Sequence, residues 1–361
     1  MKMKRIVSIL LLFLCVCLIL PVFSACDRNK TENNEYTTRS KTVSYTHFNT
    51  VSTLSSYGDV SAEEFDVFVH TVDEMLGYYH KLFDIYYEYT GINNLKTVNK
   101  NAGKSPVAVD EELIVFLEYC KELYTLTNGK TNILFGSVLT IWHDAREAAD
   151  ENGGYLDEEQ LPTQAELAEA AKHTSIDLLV INKEEKTVYI TDPAASIDVG
   201  AIAKGYAATK IAQRLKEMGA NSMALNAGGN IVTIGLKPTG EEWVTGITNP
   251  DKTTFNSLIC KVQIGETALV TSGDYERYFV SGNKTYHHII DPATLMPAAY
   301  FASVSIFTAD SGLADALSTA LFCMSYEEGL ALIEKIGGVE VLWVYHDGTV
   351  KATTGVKLVN D

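Results

Sequence analysis

The sequence predicts an α+β domain of antiparallel sheets with interspersed helices. Alternating segments come in pairs joined by short glycine turns, as in Ser222 to Gly235 and in Val339 to Lys357 over Asp347-Gly348. Short turns suit antiparallel strands, because parallel pairs need long crossovers. Helix-capping signals stand ahead of these pairs, at Ser61 and Asp110. No internal repeat and no second linker divides the chain, so positions 45–361 read as one domain.

The 361 residues are enough for a sizeable core, and 46% hydrophobic with 21% charged residues is a globular balance. The net charge of −17 argues against a nucleic-acid partner, since an acidic surface repels phosphate. Solubility is the plain reading of that acidity. Lys2, Lys4 and Arg5 precede an apolar run from Ile6 to Val22, closed by Phe23-Ser24-Ala25-Cys26. That is a secretory signal at 1–25, to be set aside from the fold. VFSAC is similar to a bacterial lipobox, with Phe23 where leucine is usual. Cys26 is then the lipidation site, and two acyl chains suffice for stable anchoring. The body is expected outside the cytoplasm, lipid-anchored to the cell membrane. An uncleaved membrane anchor is the alternative. Residues 26–44 read as a polar tether. Cys120, Cys260 and Cys323 lie singly among apolar residues and read as buried structural thiols.

Taken in order, His47 to Tyr57 is rich in Thr, Val, Ser and Tyr and reads as a strand. Ser61 with Glu64 forms a capping box for a helix to Phe83. Asp110 caps a helix through Thr127, stopped at Asn128-Gly129. Asp144 to Pro162, acidic with Gly153-Gly154, reads as a surface loop, and Thr163 begins a short helix. Ile176 to Thr191 reads as two strands around Lys183-Glu184-Glu185. Asp198 to Met218 opens with glycines and becomes a helix. Trp243 to Asn249, Leu258 to Ile264 and Ala302 to Thr308 read as strands. Leu313 to Met324 and Tyr326 to Ile336 read as helices.

Four constellations carry possible chemistry. Asp198 to Tyr206 is a glycine-bounded turn entering a helix, with Lys204 beside it. It suits a pyrophosphate, and equally an ordinary turn with glycine for close packing; it is not a P-loop. Leu225 to Asn230 reads as a tight hairpin turn in preference to a ligand loop. Asp315, Ser318 and Thr319 share a helix face and form a hard-oxygen set, which suits Mg²⁺ over Zn²⁺. A satisfied helix terminus is the alternative there. Finally, Thr271 to Pro297 gathers a hairpin over Ser281-Gly282-Asn283, His287, His288, Asp291 and four aromatics. His288 suits a general base, and the two histidines equally suit a half-buried strand pair. Alternation allows only one of the two histidines to face a common site.

TSGDYERYF, YHHIIDPATLMP, DVGAIAKGYAA, ALNAGGNIVTIG and ADALSTALF resemble the motifs of the ApbE-type FAD:protein FMN transferases. The resemblance runs from about Tyr45 to the C-terminus. It implies a Mg²⁺-dependent transfer of FMN from FAD to a Thr or Ser of an acceptor protein, with AMP leaving. By the same resemblance Asp315, Ser318, Thr319 and the Ala201 carbonyl hold Mg²⁺. It also assigns Asp198 and Lys204 to FAD, Phe48 and Tyr86 to the flavin pocket, and Thr131, Asn132, Ile133 and Ile290 to further flavin contacts. The acceptor it implies is an extracytoplasmic electron-transfer protein. Asn132 stands where aspartate is common, and Leu295-Met296 where a glycine turn is usual. Asp274, Glu276 and Arg277 are then expected to form a structural ion network. The alternatives are an FAD pyrophosphatase and a non-catalytic flavin-binding lipoprotein.

Overall fold

The computed structural model describes residues 36–359. The signal segment, Cys26 and most of the polar segment lie outside the described residues. From Thr37 onward the chain forms one compact unit.

The first strand, β1 (Thr38–Ser44), runs antiparallel to β2 (Ser52–Tyr57), with Thr38 opposite Tyr57. The tether expected at 26–44 is therefore too long at its C-terminal end. The segment reads as polar because β1 is an edge strand whose outward residues meet water. The strand expected from His47 begins only at Ser52. Before it, His47–Asn49 is a tight turn with Phe48 and Asn49 both left-handed, at φ 54° and 53°.

Helix α1 (Ala62–Phe83) starts at the Ser61–Glu64 capping box and buries Phe65, Phe68, Val72 and Leu76 along one stripe. The short α2 (Leu95–Lys100) and β3 (Val107–Ala108) lead to α3 (Glu111–Leu126), capped by Asp110. Helix α4 (Gly136–Glu151) replaces much of the loop expected from Asp144. Its buried Val138, Trp142, Ala145 and Ala149 recur at helical spacing among the acids. Next come α5 (Gln164–Ala170), β4 (Leu179–Asn182), β5 (Thr187–Ile190) and α6 (Ala203–Glu217).

The sheet-rich part follows. It holds β6 (Met223–Ala227), β7 (Asn230–Ile234), β8 (Trp243–Thr248), β9 (Leu258–Ile264) and β10 (Ala268–Gly273). The hairpin is β11 (Tyr278–Ser281) with β12 (Lys284–His287), followed by β13 (Ser303–Thr308). Helices α7 (Ser311–Phe322) and α8 (Tyr326–Ile336) precede β14 (Glu340–Val344), β15 (Val350–Ala352) and β16 (Lys357–Val359).

Eight strands form one antiparallel sheet in the order β1-β2-β6-β7-β10-β13-β14-β15. Every residue of β13 is buried, so both faces of the sheet are covered there. On one face, Val304, Ile306, Val341 and Trp343 pack against α7 and α8. On the other, Phe307, Leu342 and Val344 meet Trp243, Ile247 and Val262 of the small sheet β16-β9-β8. Helices α1 and α6 cover the β2-β6-β7 end through Leu76, Ile211 and Leu215. The polar motifs thus collect where α6 and α7 cross and where β12 leaves its hairpin. Cys120 and Cys323 are buried as expected, but Cys260 is half-exposed.

Candidate active site

The crossing of α6 and α7 is built on Gly205. A Cβ there would lie 2.1 Å from the Ser311 carbonyl oxygen and 2.7 Å from the Asp315 Cβ. Only glycine lets the two helices approach so closely. The approach brings the Asp315 carboxylate, on a residue 5% exposed, to the first turn of α6. There Oδ2 accepts from the Gly205 N–H at 2.9 Å, and Lys204 Nζ stands 3.8 Å away. Burial pushes the Asp315 carboxyl up, while Lys204, the Gly205 N–H and the Asn230 amide pull it down. Because Gly205 donates to Asp315, no N–H among the described residues donates to the Ala201 carbonyl.

This donor set fits a hard cation. It offers a carboxylate that burial leaves short of positive charge, a backbone carbonyl without a protein donor, and the half-buried Thr319 hydroxyl, which has no hydrogen bond among the described residues. Ser318 is otherwise occupied. Its hydroxyl donates to the Asp315 carbonyl at 2.8 Å and pairs with Ser272 at 2.7 Å. Ser318 therefore braces the helix more than it opens to a ligand.

The turn before α6 is fastened to a second segment. Asp198 N–H donates to the Ile133 carbonyl at 2.8 Å, and Asp198 Oδ1 accepts from Gly200 at 2.8 Å. Thr131 and Ile133 turn their side chains inward: Thr131 Oγ1 donates to the Ala316 carbonyl at 2.7 Å, and Ile133 is 2% exposed. Asn132 Nδ2 donates to the Thr174 carbonyl while its Oδ1 accepts from Leu134. Ile290 also packs inward, with Phe279 and Trp142. Thr131, Ile133 and Ile290 thus leave only backbone edges for a flavin. Phe48 lies half-buried edge-on to His80, and Tyr86 is half-exposed with its ring 5.5 Å from His143.

The two histidines separate cleanly. His287 Nδ1 accepts from the Ile289 N–H at 3.2 Å, so its Nε2 carries the proton that meets the Ala298 carbonyl at 2.7 Å. It is a satisfied core residue. His288 Nδ1 lies 3.2 Å from the Arg277 carbonyl, which can only accept. The proton sits on Nδ1, and the Nε2 lone pair is free among the described residues. Desolvation, then Arg277, His287 and Arg146, push the His288 imidazole down to about 3.

The family model described as ApbE matches residues 38–343. The chain belongs to the ApbE family. A Treponema pallidum protein named FAD:protein FMN transferase is 34% identical over 280 residues, 73% of each chain. A Thermotoga maritima ApbE protein superimposes with a TM-score of 0.72 at 27% identity, covering 88% of this chain and 97% of that one. A Vibrio cholerae flavin transferase ApbE shares the fold, with a TM-score of 0.70 at 22% identity over 89% and 97% of the two chains.

Within this ApbE-family site the expected ion network is not formed. Asp274 pairs with His346 at 3.4 Å, but Arg277 pairs with neither Asp274 nor Glu276 among the described residues. The Arg277 charge instead bears on His288, Asp198 and Tyr86, together with Arg146. Arg146 falls in the C-terminal half of α4, which the sequence reads as a loop from Asp144, and His143 stands just before that boundary. The apolar stripe through Trp142 was the signal that would have found them. Surface cavities of about 240 Å³ beside Tyr78 and about 230 Å³ beside Thr308 contain none of these residues. Converging polar groups, not cavity volume, define the site.

Proposed function

We propose that this chain transfers FMN from FAD to a Ser or Thr hydroxyl of an acceptor protein. The observation that carries the reading is the fixed tautomer of His288, which leaves one unprotonated nitrogen beside an anion-seeking cluster. In the reaction the acceptor hydroxyl gives its proton to His288 Nε2 and its oxygen bonds to the FMN phosphorus. The pyrophosphate bridge breaks and AMP leaves with the bridging oxygen. Asp315, Thr319 and the Ala201 carbonyl are the residues to hold Mg²⁺, which would neutralise charge on the pyrophosphate oxygens. Lys204 adds a fixed cation to the same corner. An imidazole held near 3 is a weak base, but the negative charge of bound FAD offsets the nearby arginines and raises it.

The printed names of the relatives support flavin transfer, and the lipobox-like VFSAC supports an outward-facing, lipid-anchored enzyme with an acceptor on the same side. The test incubates the protein with FAD and Mg²⁺, with and without an acceptor domain. A covalently fluorescent acceptor band, with AMP formed in equal amount, is expected. FMN and AMP released at the same rate without acceptor would make it a pyrophosphatase, and intact FAD in both tubes would refute catalysis.

A further inference from the structure

Four arginines lie among the described residues: Arg39, Arg146, Arg214 and Arg277. Arg39 Nε donates to the Val60 carbonyl at 2.8 Å, and Arg214 pairs with Glu217 at 3.1 Å. The guanidinium groups of Arg146 and Arg277 have no hydrogen bond or ion pair among the described residues. In a chain of 46 acidic and 29 basic residues, two guanidinium groups without a carboxylate are conspicuous. Arg146 is half-buried, so leaving it unpaired costs more than it would at an open surface.

The charges of both, Arg146 half-buried and Arg277 exposed, bear on one place. Trp142 and Arg146, four apart, share a face of α4. Trp142 on that face stacks on Tyr286 of β12, with ring centroids 5.9 Å apart, and its Nε1 donates to the Leu295 carbonyl at 2.9 Å. The face therefore lies against the hairpin. One turn back, His143 meets the Tyr86 ring. Arg277 stands at the base of the hairpin, where its carbonyl accepts from both the N–H and the Nδ1 of His288, at 3.1 and 3.2 Å. The charges of Arg146 and Arg277 are both felt at His288, Asp198 and Tyr86.

We propose that Arg146 and Arg277 form an anion clamp that grips the phosphoryl group of the flavin nucleotide beside His288, on α4 and the hairpin base. Guanidinium groups match phosphate oxygens bidentately, and an arginine already free of carboxylates loses no protein partner on binding. The clamp rests on the transfer reading above and adds to it two substrate-binding residues.

The test compares Arg146→Gln, Arg277→Gln and the double variant with the wild-type protein, by flavin fluorescence titration without metal. FAD is the probe, and riboflavin, which lacks phosphate, is the control. The expected result is FAD binding weakened about 10-fold by each change, with riboflavin affinity unaltered. Arg146→Lys and Arg277→Lys should recover part of the loss, and matching Tm values would show that the variants fold. In turnover, removing these cations relieves the depression of His288. The acid limb of kcat/KM should then move to higher pH, while the KM for the acceptor stays put. His287 and the two arginines are the charged or titratable groups that bear on His288, so His287 is left unchanged. Equal FAD affinity in wild type and double variant would overturn the clamp while leaving the transfer reading intact. A raised acceptor KM with unchanged FAD affinity would also overturn it, by assigning the arginines to an acidic acceptor. Wild-type protein that binds FAD no better than riboflavin would overturn both.

Discussion

His287 and His288 are adjacent in sequence and opposite in chemistry, because their ring nitrogens meet different backbone groups. Neighbours alternate faces along a strand, so one histidine was bound to turn inward, but composition could not say which. His288 also carries a pH signature. Its folded value of about 3 lies below the ordinary value near 6.5. Between these pH values the unfolded chain binds the extra proton, so stability is full above about 6.5 and is lost as pH falls toward 3. The urea midpoint should drop between pH 6.5 and 5 more steeply in wild type than in His288→Gln; equal slopes would show that the ring is open to water. Asp315 works in the opposite sense. Burial raises its carboxyl, so its ionised form opposes folding at neutral pH and that penalty fades as pH falls. If Asp315 supplies the metal's carboxylate as proposed, Asp315→Asn should reduce turnover at least about 100-fold, as expected for losing such a ligand. The same variant should melt no lower than wild type. Lost activity with a lower Tm would mean that Asp315 is chiefly structural.

At the scale of elements, Gly205 and a buried ion pair set the site's dimensions. Lys130 Nζ meets Asp291 Oδ1 at 2.8 Å, with the Asp291 side chain 4% exposed. Asp291 Oδ1 also accepts from Ala293 at 3.0 Å. The pair ties the segment before Thr131 to the segment after His288. Lys130→Met leaves a buried charge unpaired and should cost about 3 kcal/mol in urea unfolding. Adding Asp291→Asn should restore most of it, whereas additive losses would show the two residues acting independently. Capped helices were legible in the sequence because a capping box is local, and Ser61–Glu64 marked α1 to the residue. The glycine turn at Gly228 was legible too: it is left-handed at φ 61°, and a Cβ there would meet Thr50 at 2.4 Å. Helix α4 was not, because its outward acids outweighed a stripe of four small or aromatic residues, and Arg146 went unnoticed with it. Leu295 shows the same limit in reverse. Its φ of 62° is the left-handed turn for which glycine is usual, and the hydrogen bond from Trp142 to its carbonyl holds it there.

For the whole molecule, neighbouring strands such as β2 and β6 lie far apart in sequence, so the class was legible but the eight-strand order was not. The N-terminal boundary follows from that order. With β1 paired into the sheet from Thr38, the residues available between Cys26 and the folded unit are fewer than polarity alone suggested. Covalent geometry then limits their reach to roughly 40 Å even at full extension, at about 3.5 Å per residue. If Cys26 carries the lipid, the enzyme works within one domain's width of the membrane, and its acceptor must present a hydroxyl there. Among the described residues no helix is long and apolar enough to cross a membrane, so the described part supplies no helical span of its own. Cys26→Ser should therefore move the protein from the membrane pellet to the supernatant and leave its kcat toward a soluble acceptor unchanged. Flavinylation of a membrane-anchored acceptor in intact cells should fall about 10-fold or more, since anchoring two partners on one surface raises their effective concentration. Retention of the variant in the pellet after alkaline carbonate washing would instead mean that the apolar run from Ile6 to Val22 stays in place as an uncleaved anchor.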